Sequence, residues 1–479
     1  MKKFLMLLAS ILMFSTAYAY EPSITQQVAG NKNLNCKEVV FISGKPVEME
    51  GTLTVSNSGK SSTLAESYTY KLEDEEGNTL SRQLTFSITS SEKNNGQVSK
   101  VWDLTKFSES ITIGARTYTL EKYDFGRTEL DDVKPVGTYF AGNLNISKTY
   151  SDGTEKGKIK IVGSGSSYGY NTCWANNEVV NMTYTISGTS ETGTSWTGKY
   201  RTTTSNTDKK NIVYIENKPT EISFDGGFML SESNVSTLRY SSELPEFYGT
   251  KMLNYIVTDE GSFKYESFPV QTRLANYSLK GIKGHWGEKA LRQAFALEYM
   301  DEWKDNTTPN SGVTRGEFAK IIALALKLDM NNNTKKTNTT TNTSVKEQLV
   351  YKDVPETNEY YKYIMALTQK GVVKGTGNSR FQPNAIISRA EAVTMIITAL
   401  GFEDKAPEPL PILNFNDNSE IPKWSEKYIY MANKIGLING DEYGNVMPTK
   451  ALTKAEIATI TNNMGKYIIE ELGEEYTLQ

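Results

Sequence analysis

Three short segments in the C-terminal half combine a hydroxyl residue, a cation and a glutamate at one fixed spacing. They are Thr314-Arg315-Gly316-Glu317, Ser388-Arg389-Ala390-Glu391 and Thr453-Lys454-Ala455-Glu456. A hydroxyl residue followed three positions later by glutamate is the signature of a helix start, and an apolar run follows each copy. Thr314 with Glu317, Ser388 with Glu391, and Thr453 with Glu456 are therefore read as helix caps. Capping does not explain the cation. At the first helical position the positive end of the helix dipole disfavours it by roughly 0.3–1 kcal/mol. An anionic ligand would account for it, because helix N-termini gather anions and a guanidinium adds a bidentate partner for a carboxylate or phosphate. Arg315, Arg389 and Lys454 are accordingly the candidate ligand-binding cations.

These segments need helices to hold them, and the sequence supplies helical periodicity from about residue 280 onward. Apolar residues recur three and four apart over 286–295, 318–328, 361–367, 392–400 and 428–435. Gly371 lies 18 residues before Arg389 and Gly436 lies 18 before Lys454, and each follows an amphipathic stretch that it is suited to stop in the left-handed conformation. The unit is thus helix, glycine stop, loop, cap, helix. One such pair cannot bury its own apolar face, so the three are expected to pack together.

Before residue 275 the pattern is different. Segments such as Tyr68-Thr69-Tyr70-Lys71-Leu72, Leu84-Thr85-Phe86-Ser87-Ile88 and Met182-Thr183-Tyr184-Thr185-Ile186 alternate apolar with polar, and Gly77-Asn78, Gly114-Ala115 and Asp152-Gly153 supply turns. This predicts an all-β module over 20–275, either a sandwich or an open barrel. At 479 residues the chain exceeds the usual single domain of about 50–250 residues.

Lys2 and Lys3, an apolar core, and Ala17-Tyr18-Ala19 read as a secretory signal over 1–19, with no membrane-spanning segment left once it is cleaved. Cys36 and Cys173 are the two cysteines, and in an exported chain they are candidates for one disulfide. The formal charge of −4 gives no reason to expect nucleic acid as a partner. The tract over 331–344 is almost wholly Asn, Thr and Lys, too polar to order itself, and is read as part of a disordered insert over 329–347.

The helical half resembles three tandem S-layer homology (SLH) domains, over 279–328, 348–402 and 412–470. The residues that carry the resemblance are, in the last unit, Phe415-Asn416-Asp417, Trp424, Gly436-Leu437-Ile438, Gly440 and Thr453-Lys454-Ala455-Glu456. In the middle unit they are Tyr351-Lys352-Asp353-Val354, Gly371-Val372-Val373, Gly375, Phe381-Gln382-Pro383 and Ser388-Arg389-Ala390-Glu391. The first unit shows Gly284-His285-Trp286 and Thr314-Arg315-Gly316-Glu317, with Gly281 in place of the opening aspartate and Glu298 in place of the stop glycine. In the middle unit the tryptophan position falls on Glu359 or Tyr360.

The resemblance implies a helical pseudo-trimer that binds a pyruvylated secondary cell-wall polysaccharide, or peptidoglycan, in the grooves between units. It adds Trp286, Trp424, Gly375 and Gly440 to the candidate ligand-binding residues. It also implies a secreted protein on the surface of a bacterial wall, with self-assembly into a surface layer as a further expectation. The β-rich module would then serve a structural, adhesive or glycan-binding role. The alternative is a wall-anchored glycoside hydrolase with the β-rich half as catalytic module. The single histidine, His285, lies in the helical half, so the β-rich half has none for a Ser-His-Asp mechanism or a histidine-ligated zinc. No residue pair is singled out as catalytic, and neither a metal nor a cofactor is expected.

Overall fold

The computed structural model describes residues 23–27, 33–60, 63–93, 96–154, 157–189, 193–217, 220, 226–248, 251–266, 269–328, 330 and 351–477. The signal segment at 1–19 and the polar tract at 331–344 lie outside the described residues.

A meander of strands fills the first half. It begins with Ser23–Gln27 (β1), Asn33–Val40 (β2), Val47–Lys60 (β3), Thr63–Glu73 (β4) and Thr79–Glu92 (β5). It continues through Val98–Ile113 (β6), Arg116–Lys134 (β7), Gly137–Ser151 (β8), Lys158–Thr172 (β9) and Ala175–Thr189 (β10). Ser195–Ile215 (β11), Gly227–Tyr248 (β12), Lys251–Glu266 (β13) and Val270–Arg273 (β14) complete it. Each strand through β13 pairs antiparallel with the next, and β14 pairs with β12. Of the two predicted architectures the structure is the barrel. The sheet has rolled far enough for Tyr240 of β12 to donate to Glu48 of β3 at 3.3 Å, and for Tyr265 of β13 to donate to Glu50 at 2.8 Å.

The barrel interior follows from strand alternation. In β5, Leu80, Arg82, Leu84, Phe86 and Ile88 point inward while their neighbours face solvent or lie partly covered. In β7 the parity changes: Tyr118 and Leu120 are inward, a bulge follows between Leu120 and Lys122, and then Tyr123, Arg127, Glu129 and Asp131 are inward. The bulge inserts the residue that turns Arg127 to the core.

Two ionic clusters sit in that core. Arg82 makes two 2.8 Å bonds to Glu38 and one to Glu109, and Glu109 also receives Lys148 at 3.1 Å and the Tyr150 hydroxyl at 3.0 Å. There the two cations balance two carboxylates. Burial raises the Glu109 carboxyl, but Arg82 and Lys148 outweigh it and hold it at about 2. The second cluster is not balanced. Arg127 meets Glu129 at 2.8 Å and Glu178 at 2.9 Å, and Lys100 meets Glu129 at 3.1 Å and Asp131 at 2.6 Å. Burial pushes Glu178 up to about 7 and Asp131 up to about 6.

Among the described residues six α-helices make up the second half: Glu288–Ala296 (α1), Arg315–Ala325 (α2), Tyr361–Gln369 (α3), Arg389–Leu400 (α4), Glu426–Lys434 (α5) and Lys454–Thr477 (α6). They form three consecutive pairs, but their packing is cyclic. Helix α3 lies on α2, α5 on α4, and α1 on α6. The first helix of each pair therefore covers the second helix of the preceding one, and the ring closes from the last pair to the first. Gly371 (φ 74°) and Gly436 (φ 66°) stop α3 and α5 in the left-handed region, while after α1 that conformation falls on Glu298 (φ 59°).

One end of the barrel docks on this bundle. Val136, Tyr170, Trp174 and Ala175 belong to the same apolar core as the helices. The backbone N–H of Val136 donates to Ala399 O at 3.0 Å, and the Trp174 indole N–H donates to Ala325 O at 3.1 Å. The expected disulfide is not formed. Cys36 is buried in the barrel core, whereas Cys173 lies in the β9–β10 connection with its thiol toward Ala325 O at 3.8 Å. The two side chains thus pack into different cores. Burial pushes the Cys173 thiol up to about 11.

Candidate functional site

The three capped segments meet where the helix pairs join. Immediately before the caps, the backbone forms a closed ring of hydrogen bonds. Val313 N–H donates to Leu452 O (3.1 Å), Leu452 N–H to Ile387 O (3.0 Å), and Ile387 N–H to Val313 O (2.9 Å). All three residues are buried, Val313 and Ile387 fully.

Around this ring, the first two amides of each second helix point into the loop of the next unit. Arg315 and Gly316 N–H donate to Ala385 O and Pro383 O at 2.8 and 2.9 Å. Arg389 and Ala390 donate to Lys450 O and Pro448 O at 3.0 and 2.8 Å. Lys454 and Ala455 donate to Ser311 O and Pro309 O at 2.9 and 3.0 Å. The helix N-termini are thereby satisfied within the protein. This corrects the expectation that these amides are open to a ligand anion.

The cations follow the same cyclic rule. Arg315 Nη1 bonds Glu391 at 2.7 Å, Arg389 Nη2 bonds Glu456 at 2.9 Å, and Lys454 Nζ bonds Glu317. Each partner is the cap glutamate of the next unit. One oxygen of Glu391 holds the Ser388 N–H (2.9 Å) while the other takes Arg315, and Glu456 divides its oxygens between Thr453 N–H (3.0 Å) and Arg389 in the same way. In the first unit Thr314 Oγ1 accepts Glu317 N–H at 3.2 Å. The recurrent cation at an unfavourable helix position is thus accounted for by a neighbouring carboxylate. It is not left facing outward as an anion clamp. Sequence spacing shows which residues recur but not that the glutamate serves two units.

The three cations are not equally committed. Arg315, 6 % exposed, also donates through Nε to Phe381 O at 2.9 Å and stacks over the Phe381 ring. Arg389 leaves its Nε without a hydrogen bond among the described residues, and its side chain is 16 % exposed. Lys450 joins it on Glu456 at 3.0 Å.

Trp286 and Trp424 stand at the rim, 65 % and 54 % exposed. Each directly precedes the residue that caps a first helix: Gly287 caps α1 and Ser425 caps α5. In the middle unit the cap is Tyr360, so the tryptophan position is Glu359. His285 braces its unit, accepting Gly287 N–H through Nδ1 at 3.1 Å and meeting Asn310 through Nε2 at 3.3 Å.

Two aspartates hold the loops. Asp353 accepts Phe381 and Gln382 N–H at 2.9 and 2.8 Å, and Asp417 accepts Val446 and Met447 N–H at 2.9 and 2.7 Å. Burial raises the Asp353 carboxyl, but these two amides outweigh it and hold it below its ordinary value. The loop glycines expected to meet ligand serve the turns. Gly375 (φ 78°) has no room for a side chain, since a Cβ would lie 2.5 Å from Arg380 O. Gly440 directly precedes a turn closed by Asp441 N–H on Asn445 O at 2.9 Å.

Residues 350–393 and 414–458 match the S-layer homology domain. Helices α3 and α5 and the first turns of α4 and α6 fall within these matches, and the α1/α2 pair lies outside both. The chain is 25 % identical over 195 residues to a surface-layer 125 kDa protein of Lysinibacillus sphaericus, covering 40 % of this chain and 15 % of that protein. It is 31 % identical over 145 residues to a cellulosome-anchoring protein of Acetivibrio thermocellus, covering 30 % of each. It is 27 % identical over 185 residues to an exoglucanase of Acetivibrio thermocellus, covering 37 % of this chain and 15 % of that protein. The SLH match and the surface-layer relatives indicate a secreted cell-surface protein anchored at the cell wall. Among the described residues no helix is long and apolar enough to cross a membrane.

Proposed function

We propose that the helical half is a three-unit SLH anchor, with α1/α2 as its first unit, that binds a pyruvylated secondary wall polysaccharide and displays the barrel at the surface. The observation that carries this is the cyclic equivalence of the three units. The Val313–Leu452–Ile387 ring and the cation–glutamate pairs treat α1/α2 as they treat the two matched pairs. Trp286 and Trp424 are exposed platforms for the apolar face of a sugar ring, each with an indole N–H to donate. At the Trp424 junction Arg389 and Lys450 share the single carboxylate of Glu456, which leaves an excess of positive charge for a sugar carboxylate.

The barrel is read as a non-enzymatic structural or adhesive module. Its buried carboxylates Glu38, Glu109, Glu129 and Glu178 are paired with arginine. The cavity beside Glu38 and Glu109 is about 30 Å³, room for a few water molecules. A glycosidase needs two carboxyls flanking the scissile bond of a bound substrate.

The test is cosedimentation of the full chain with purified walls, before and after extraction of the secondary polymer. Loss of binding on extracted walls is expected. Retention there would replace the polymer with peptidoglycan as the ligand, and release of reducing ends from the walls would restore the hydrolase.

A further inference from the structure

The first-to-second junction differs from the other two in a way that size alone explains. At two of the junctions the residue capping the first helix lies against the second residue of the preceding unit's second helix. At the third-to-first junction both are small, with Gly287 against Ala455, where a Cβ on Gly287 would lie 2.7 Å from the alanine Cβ. At the second-to-third junction Ser425, fully buried, occupies the cap position and Ala390 the helix position. At the first-to-second junction the cap is Tyr360 and the helix residue is Gly316. A Cβ on Gly316 would lie 2.4 Å from Tyr360 Cδ2, so the ring occupies the space an alanine side chain would fill. Gly316 departs from the alanine of the other two copies because Tyr360 is seated on it.

The neighbouring position changes character as well. Where Trp286 and Trp424 stand at the other junctions, this one has the exposed carboxylate of Glu359. Burial, then the charges of Glu359, Glu317 and Glu302, push the Tyr360 phenol well above its ordinary value. The local cation, Arg315, gives Nη1 to Glu391 and Nε to Phe381 O, and its side chain is buried. This junction therefore lacks an exposed aromatic platform, carries a tyrosine at the cap position where the others carry glycine or serine, and presents negative charge toward an incoming acid.

We infer that the junction between the first and second units is closed to acidic glycans by Glu359 and the Tyr360–Gly316 pair, so that this chain binds two such ligands, at Trp286 and at Trp424. The inference rests on the wall-polysaccharide reading above and narrows it to two sites.

The experiment is calorimetric titration of the full chain with a methyl glycoside bearing a pyruvyl ketal, which reads stoichiometry directly. Two equivalents are expected for the wild type, one for Trp286→Ala, one for Trp424→Ala, and none for the double variant. Both tryptophans are exposed, so these variants test the sites without disturbing the core. The triple variant Glu359→Trp/Tyr360→Gly/Gly316→Ala is expected to bind three. Three equivalents in the wild type, or one remaining in the double tryptophan variant, would overturn the closed junction and leave the wall-binding reading intact. No uptake by the wild type would instead overturn the pyruvyl-ketal ligand on which the inference rests.

Discussion

The indole of Trp174, at the tip of the barrel, donates a 3.1 Å hydrogen bond to the carbonyl of Ala325 at the end of α2. The same ring meets Tyr299 edge to face at 6.3 Å and lies under the Lys327 ammonium at 4.8 Å, with 2 % of its surface exposed. The barrel and the anchor thus share one core at this point. Trp174→Ala is expected to cost about 3–5 kcal/mol, as for other buried aromatic truncations. Calorimetry should show one thermal transition splitting into two as barrel and bundle uncouple. Trp174→Phe keeps most of the packing and should lose only about 1 kcal/mol for the hydrogen bond.

Arg389 and Glu456 should behave as a coupled structural pair. Each single alanine variant is expected to destabilise the bundle, and the double-mutant cycle to return a coupling of about 1–3 kcal/mol, measured by chemical denaturation. A coupling near zero would mean that the inter-unit pair contributes nothing to assembly.

The unbalanced barrel cluster predicts a pH dependence of definite sign. Glu178 and Asp131 have folded-state values of about 7 and about 6, above those of an unfolded carboxylate, so the folded state holds protons that the unfolded state releases. Their contribution is complete below the unfolded value and is lost as pH rises through about 6 to 7. The groups facing them are Arg127, Lys100, Glu129 and Glu66. The barrel should be more stable at pH 5 than at pH 8, and Glu178→Gln should shrink that difference, as read from denaturant midpoints at the two pH values. Glu109 acts in the opposite sense, since its contribution disappears only as pH falls toward about 2.

Glu298 takes the left-handed backbone conformation that Gly371 and Gly436 take in the other units. Glu298→Gly should relieve about 1 kcal/mol of steric cost, offset in part by the greater freedom of glycine in the unfolded chain. A lowered denaturation midpoint would show that the glutamate side chain makes a contact worth more than the strain.

The helix caps, the stop glycines and the switch from strand to helix period were legible because each is a local pattern. The seating of Tyr360 on Gly316 was not, since it joins residues 44 positions apart whose complementarity is one of volume. For the same reason the cations invited a ligand. Sequence order places Glu317 beside Arg315, yet Arg315 bonds Glu391 and Glu317 receives Lys454. In the barrel, alternation identified strands over the region of β7, but the bulge after Leu120 that sends Arg127 inward leaves no mark in a pattern of apolar and polar residues.

The closed hydrogen-bond ring of Val313, Ile387 and Leu452 makes the order of the units a matter of connection more than of assembly. Each unit is gripped on both sides by the other two, whichever of them precedes it along the chain. A single break in the backbone between α2 and α3 would leave two fragments that still share every hydrogen bond of the ring.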